Sequence, residues 1–248
     1  MRALSFLVLM IAGCSNAPAR VEQPQSACSQ QLFEGSRFTV CDPGKDEIEL
    51  VAAGRDEPTV REFADLEQSL GPRAERVSFA MNAGMYDEDG RPIGLAVVDG
   101  KQKHAINRNK GGGNFHLMPN GVFQLRKEGS AEIVTSQAWR PSPTIRLASQ
   151  SGPMLVIDGK LHPAFERDGT SRYVRNGVGI APSGRPLFVI SEGPVSFGKF
   201  ARFFRDGLKA RNALFFDGAV SALWDPANGR RDITKPLGPM VVVFKPAK

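Results

Sequence analysis

Three apolar runs in this 248-residue chain are bounded by an Asx-Gly dipeptide. Leu95-Ala96-Val97-Val98 runs into Asp99-Gly100, and Met154-Leu155-Val156-Ile157 runs into Asp158-Gly159. Asn120-Gly121 precedes Val122-Phe123-Gln124-Leu125. Such a pair supplies the two positive φ angles of a type I′ turn, whose twist suits paired strands, so each reads as a hairpin signal. Antiparallel strands and tight turns are therefore the main material of the fold. The 26 glycines and 18 prolines agree with a chain that turns often.

Two stretches carry a helical period instead. Thr59 is placed to cap a helix from Val60 to Leu70, where Val60, Phe63, Leu66 and Leu70 share a face and Gly71-Pro72 stops it. A second runs from about Ser196 to Arg211, with Phe197, Phe200, Ala201, Phe204 and Leu208 on one face. Gly152-Pro153-Met154-Leu155-Val156-Ile157 is echoed by Gly238-Pro239-Met240-Val241-Val242-Val243, as two similarly placed core strands or by chance; two copies are too few for a solenoid. The expectation is an α+β domain over residues 28–248, with a large, mostly antiparallel or mixed sheet and a few packed helices.

The first residues bear on the compartment. Met1-Arg2, an apolar run from Ala3 to Ile11 and then Ala12-Gly13-Cys14 describe a secretory signal over residues 1–13, too short to span a bilayer. Ile11-Ala12-Gly13-Cys14 also resembles the bacterial lipobox, which implies that Cys14 is lipidated and heads the mature chain. Ser15 after it points to outer-membrane sorting. The alternative is cleavage after Ala17-Pro18-Ala19, releasing a soluble periplasmic protein. Residues 14–27 are rich in Pro, Ala, Ser, Gln and Asn and read as a tether. With Cys14 lipidated, Cys28 and Cys41 remain as an even pair for a disulfide in an oxidising compartment; two buried free thiols are the other reading. The expected address is the cell envelope, with membrane contact through the lipid anchor only.

Several function classes fall away. Basic residues are scattered without an aromatic stacking series, which argues against nucleic acid as a partner. The net charge of +6 leaves room for an anionic substrate or envelope polymer. "GPVSFGKF", residues 193–200, imitates a P-loop, but Phe200 stands where a Ser or Thr must ligate magnesium. It reads instead as a strand-to-helix turn with Ser196 as cap and Phe200 in the core. Ser196-Phe197-Gly198-Lys199 spells S-x-x-K without its S-D-N and K-T-G companions. His104, His116 and His162 lack metal-ligand spacing and read as surface or turn residues. No metal or other cofactor is expected.

Three polar clusters flanked by glycine remain. They are Asn82-Ala83-Gly84-Met85-Tyr86, then Arg175-Asn176-Gly177-Val178-Gly179, then Phe216-Asp217-Gly218-Ala219-Val220-Ser221, each beside an apolar run. In this order they resemble the motifs N-G-G-[FY]-[FY], R-T-A-I-G and L-D-G-G-G-S of the phosphodiester glycosidase family. "GGGNFHLMPNGVF", "SGPMLVIDGK" and "NALFFDG" resemble its short, exported bacterial branch. Ala219 stands where the motif has glycine, and Asn176 where it has threonine.

The resemblance implies hydrolysis of a sugar-1-phosphodiester, with an anionic sugar phosphate or envelope glycan as partner. A phosphate leaving group is already acidic, so a general acid matters less than holding an anion and stabilising an oxocarbenium-like centre. Arg175 is the expected phosphate clamp, because guanidinium binds two oxygens at once. Asp217 is the first choice as nucleophile, base or electrostatic stabiliser, and Glu192 is the second carboxylate. Asn82, Asn176 and Ser221 would position the substrate, and Gly84 and Gly218 would permit its close approach. Glu166 and Asp168 are weaker acid candidates. The competing readings are a non-catalytic envelope lipoprotein that binds an anionic glycan, and a hydrolase of another phosphodiester.

Overall fold

A computed structural model describes residues 25–218, 220–233 and 235–247. The signal segment, Cys14, most of the tether and Ala219 lie outside the described residues. The strands fall into three sheets rather than one, and every pairing among the described residues is antiparallel. The first sheet has seven strands, in the order Cys28–Phe33, Ser36–Cys41, Pro186–Ser191, Asn176–Ile180, Ala213–Phe215, Met154–Ile157 and Lys160–Leu161. The second runs Arg230–Arg231, Leu223–Asp225, Val77–Asn82, Met240–Phe244 and Glu47–Val51. The third runs Lys101–His104, Ala96–Val98, Ile145–Ser151, Gly121–Arg126 and Ala131–Thr135.

The main core lies where the three sheets meet. Phe188 of the first sheet is fully buried, with its ring 5.7 Å from Phe79 of the second and 5.7 Å from Phe123 of the third. The outer faces are covered separately. Helix α2, Phe197–Arg202, lays Phe200 and the following Phe203 against Phe38 of the first sheet. Helix α1, Phe63–Leu70, buries Phe63 and Leu66 on the second sheet, beside Trp224 and Val242. No helix among the described residues is long and apolar enough to cross a membrane.

Two of the expected hairpins are present. Asp99-Gly100 has φ of 48° and 75°, and Asp158-Gly159 has 47° and 79°, so both residues of each turn are left-handed, as type I′ requires. Asn120-Gly121 is not a turn. The Asn120 side chain is fully buried, donating to the Phe115 carbonyl and accepting from the Ser136 hydroxyl, and Gly121 opens a strand. Cys28 and Cys41 face each other in register with Cα atoms 3.9 Å apart and are disulfide-bonded.

Both helices depart from their expected bounds. Thr59 is not the cap: α1 begins at Phe63, with Glu62 at its N-cap and the Leu66 amide bonded to the Glu62 carbonyl. It passes through Gly71 into a 3₁₀ turn, Gly71–Arg76. In the second helix Ser196 is the cap, accepting from the Lys199 amide at 3.1 Å. The helix then widens over Phe203–Gly207, where Leu208 bonds back five residues to Phe203, and ends at left-handed Lys209. The echoed Gly-Pro segments open strands of different sheets, and each proline carbonyl takes a bond from the neighbouring strand, Phe215 to Pro153 and Ala83 to Pro239.

Candidate active site

The three glycine-flanked clusters meet at one end of the first and second sheets. Asn82 is the last residue of Val77–Asn82 and is almost fully buried. Its amide donates to the Asp217 carbonyl at 2.9 Å, and its side-chain oxygen accepts from the Ala222 amide at 2.9 Å. Asn176, the first residue of Asn176–Ile180, donates to both the Asn82 carbonyl and its side-chain oxygen, at 2.8 and 2.9 Å. Ser221 completes the network, with its hydroxyl on the Val174 carbonyl and the Asn176 side chain. Every polar atom withdrawn from water here must find a protein partner, and these side chains supply them to one another.

Asp217 sits at the junction of the two sheets. Its amide donates to the Ala83 carbonyl, and the preceding Phe216 amide to the Asn176 carbonyl. The last register pair of these two strands is Gly177 with Phe215, after which the chain turns toward the second sheet. The Asp217 charge is felt at Tyr86, whose hydroxyl is pushed up to about 12 by burial first and this carboxylate second. Tyr86 donates to the Pro236 carbonyl and lies under the Arg61 guanidinium, 5.5 Å from its ring centre.

Arg175 takes a different direction from its neighbour Asn176. Successive side chains of a strand point to opposite faces, so the arginine enters the compartment under α2 while the asparagine faces the inter-sheet network. Its guanidinium stacks 3.5 Å from the Phe197 ring centre, with Phe215 at 5.4 Å and Tyr173 at 5.6 Å. Nε donates to the Val195 carbonyl, and Nη2 to the carbonyl and hydroxyl of Ser171. Among the described residues Nη1 has no hydrogen-bond partner and no carboxylate pairs with the group. Burial lowers it to about 10, still cationic at neutral pH.

The remaining expected residues sort differently. Glu192 is drawn away from Asp217: its carboxylate accepts from the Thr39 hydroxyl at 2.5 Å and from Arg230 at 2.6 Å. The space over Gly84 belongs to the third sheet, since a Cβ would lie 2.4 Å from the Gln150 carbonyl oxygen. Over Gly218 it belongs to the Phe215 ring, at 2.4 Å. Glycine at these positions lets the protein's own chains approach, a packing reason rather than room for substrate. Asp168 is engaged by Arg202. His162 is buried rather than exposed, with one ring nitrogen on the Met118 carbonyl and the other accepting from the Ala164 amide. Among the described residues no group of three or more His, Cys, Asp or Glu side chains could hold a metal ion.

Sequence reasoning missed Tyr86 and the aromatic setting of Arg175. The first stood inside a quoted motif; the second is signalled by Phe197 and Phe215, whose helical and strand periods aim them at one compartment.

Residues 75–244 match the family model described as phosphodiester glycosidase. The chain belongs to that family. It is 38% identical over 149 residues to the uncharacterized protein YigE of Escherichia coli strain K12, covering 60% of this chain and 58% of that one. The chain thus aligns with little more than half of that relative's length. Among solved structures, the zebrafish N-acetylglucosamine-1-phosphodiester alpha-N-acetylglucosaminidase catalytic domain, auto-inhibited by its pro-peptide, superposes with a TM-score of 0.59 at 14% identity. That match covers 88% of this chain and 82% of the zebrafish domain. A hypothetical protein from Synechocystis gives 0.53 at 13% identity, over 88% of this chain and 61% of the other. At such identities the phosphodiester glycosidase fold is what is shared. The motif residues Asn82, Arg175, Asp217 and Ser221 all lie within the matched span.

Proposed function

We propose that this protein is a hydrolase of the cell envelope that cleaves the bond between the anomeric carbon of a sugar and a phosphodiester. The observation that carries the reading is the buried Arg175 guanidinium: a desolvated cation without a carboxylate partner among the described residues, one residue from the network that holds Asp217. A buried charge left without a counter-ion is costly, and a phosphate would supply that counter-ion. Phe197 and Phe215 hold the fork against their faces.

In this reading Arg175 holds the phosphodiester and accepts the charge that develops on the leaving oxygen. The anomeric C–O bond breaks, the electron pair leaves with the phosphate, and water adds to the sugar carbon. Asp217 stabilises the oxocarbenium-like centre and receives the proton of the attacking water. Asn82, Asn176 and Ser221 position the turn that carries Asp217. Glu192 has no part, because Thr39 and Arg230 hold its Oε1 in a separate cleft. Lipidation at Cys14 would place the domain at the outer membrane, facing periplasmic substrates. Mature protein incubated with a panel of sugar-1-phosphodiesters, with released sugar and phosphomonoester both measured, tests the reading; no release from any of them, with the fold intact, overturns it.

A further inference from the structure

A second polar cleft lies beside the first sheet's edge, between the disulfide-bearing hairpin and strand Leu223–Asp225. It has a volume of about 560 Å³ and shares no lining residue with the Asn82 network. Thr39 and Asn176 are both register partners of Ile190, on either side of it, so the cleft opens roughly two strand spacings, about 10 Å, from Asn176.

Its chemistry is one-sided. Glu192, Asp225 and Asp232 line it together with one cation, Arg230. Arg230 grips Asp232 through two bonds, at 3.0 and 2.9 Å, and Glu192 through a third at 2.6 Å. That arrangement commits the one cation to Asp232 and Glu192. Asp225 is left without a cation and is only 1% exposed. Its Oδ2 accepts from the Ser26 hydroxyl at 2.8 Å and the Asn228 amide at 2.7 Å. Its Oδ1 is buried and has no partner among the described residues. The cleft therefore carries an excess of two negative charges in a protein whose net charge is +6.

We infer that this cleft binds the primary ammonium group of a small ligand, with Asp225 as its principal acceptor. An unpaired buried carboxylate oxygen requires a donor, and a cationic donor recovers more of its desolvation cost than a neutral one. A bare metal ion fits less well, because no three carboxylates converge on one point among the described residues. An ammonium with three directed N–H donors needs only one close carboxylate and neighbouring acceptors, which Glu192 and Gln30 provide along the same wall.

The experiment compares glucosamine with glucose, which differ by the ammonium group, as probes of the intact mature protein by amide-detected NMR and calorimetry. Glucosamine should shift the Asn228, Arg230 and Asp232 amides saturably while glucose does not. Asp225→Asn should weaken that binding by about tenfold, the effect of losing a charge-assisted bond. Should Asp225→Asn fail to fold, Glu192→Gln keeps an acceptor at the Thr39 hydroxyl and should still weaken binding several-fold by removing one charge. Equal shifts from both sugars would make the site a neutral polyol site. Saturation by calcium chloride in competition with glucosamine would make it a metal site. Absence of any shift would mean that water alone satisfies Asp225. Each of these three results overturns the inference.

Discussion

The Asn176 amide donates to the side-chain oxygen of Asn82 at 2.9 Å, joining two sheets through residues 94 positions apart. The same Asn82 oxygen takes the Ala222 amide, and its nitrogen holds the Asp217 carbonyl. One buried carboxamide therefore fixes three segments.

Replacing Asn82 by alanine leaves several buried polar groups without partners at once. Each such orphan costs about 1–3 kcal/mol, so Asn82→Ala should lose about 3 kcal/mol of stability or more. Equilibrium denaturation in urea measures this. A loss near that of an ordinary surface substitution would mean that the network is not holding the junction.

The hairpin at Asp99-Gly100 was legible because its two residues supply the turn angles by themselves, with nothing required from the rest of the chain. Asn120-Gly121 carries the same local signal, yet Ser136 and Phe115 capture the asparagine side chain and tertiary bonding prevails. The converse case is Glu34-Gly35, left-handed at both positions without an Asx residue, in the tight turn between Cys28–Phe33 and Ser36–Cys41. At the site, motif order pointed to Asn82, Arg175 and Asp217 as neighbours, whereas hydrogen bonds join Asn82, Asn176 and Asp217 and turn Arg175 toward Phe197. The separation of Arg175 from Asn176 needed strand alternation, and Glu192 was lost to Arg230, a partner 38 residues away that no local pattern announces.

The Cys28–Cys41 bond staples the edge strand of the seven-stranded sheet to its neighbour, across a sequence separation of 13. In the chain-entropy model, closing such a loop contributes about 3 kcal/mol. A Cys28→Ala, Cys41→Ala double variant should lose that amount, and reductant should lower the melting temperature of the parent but not of the variant. Identical melting curves for parent and variant would refute the estimate.

His162 gives the protein a pH dependence. Its ring is held neutral, and burial depresses it below the usual 6.5, outweighing the bond to the Met118 carbonyl. The unfolded chain then binds a proton near pH 6.5 that the folded one refuses, so stability must fall as pH drops below that value. From this group the slope has an upper limit of about 1.4 kcal/mol per pH unit, and it fades once the folded-state value is passed. His162→Gln should flatten the decline just below pH 6.5 in denaturation series. An unchanged profile would assign the acid sensitivity to other groups.

Lys199 ends the P-loop-like stretch, and its ammonium is already bound to the Glu34 carbonyl at 2.9 Å and the Ser36 hydroxyl at 3.2 Å. Lys199→Ala should therefore leave any hydrolase activity nearly unchanged, and the parent protein should not bind ATP. Saturable ATP binding that the substitution removes would reverse this reading.

Arg175 offers the most direct test of the proposed chemistry, because a lysine there keeps the charge and loses the geometry. The guanidinium is planar, lies on Phe197 and already gives three of its donors to Val195 and Ser171. An ammonium cannot serve those acceptors and also present a donor to a second ligand. Arg175→Lys should thus cut kcat/KM for a sugar-1-phosphodiester by about a hundredfold or more, the loss of roughly 3 kcal/mol of charge-assisted bonding. Asp217→Asn should abolish turnover yet leave inorganic phosphate binding intact, since the anion is assigned to Arg175. The two variants separate the roles. If Arg175→Lys retains full activity while Asp217→Asn is dead, the anion is held elsewhere, and Arg61, above Tyr86 and with a buried, unpartnered Nη1, becomes the cation to test next.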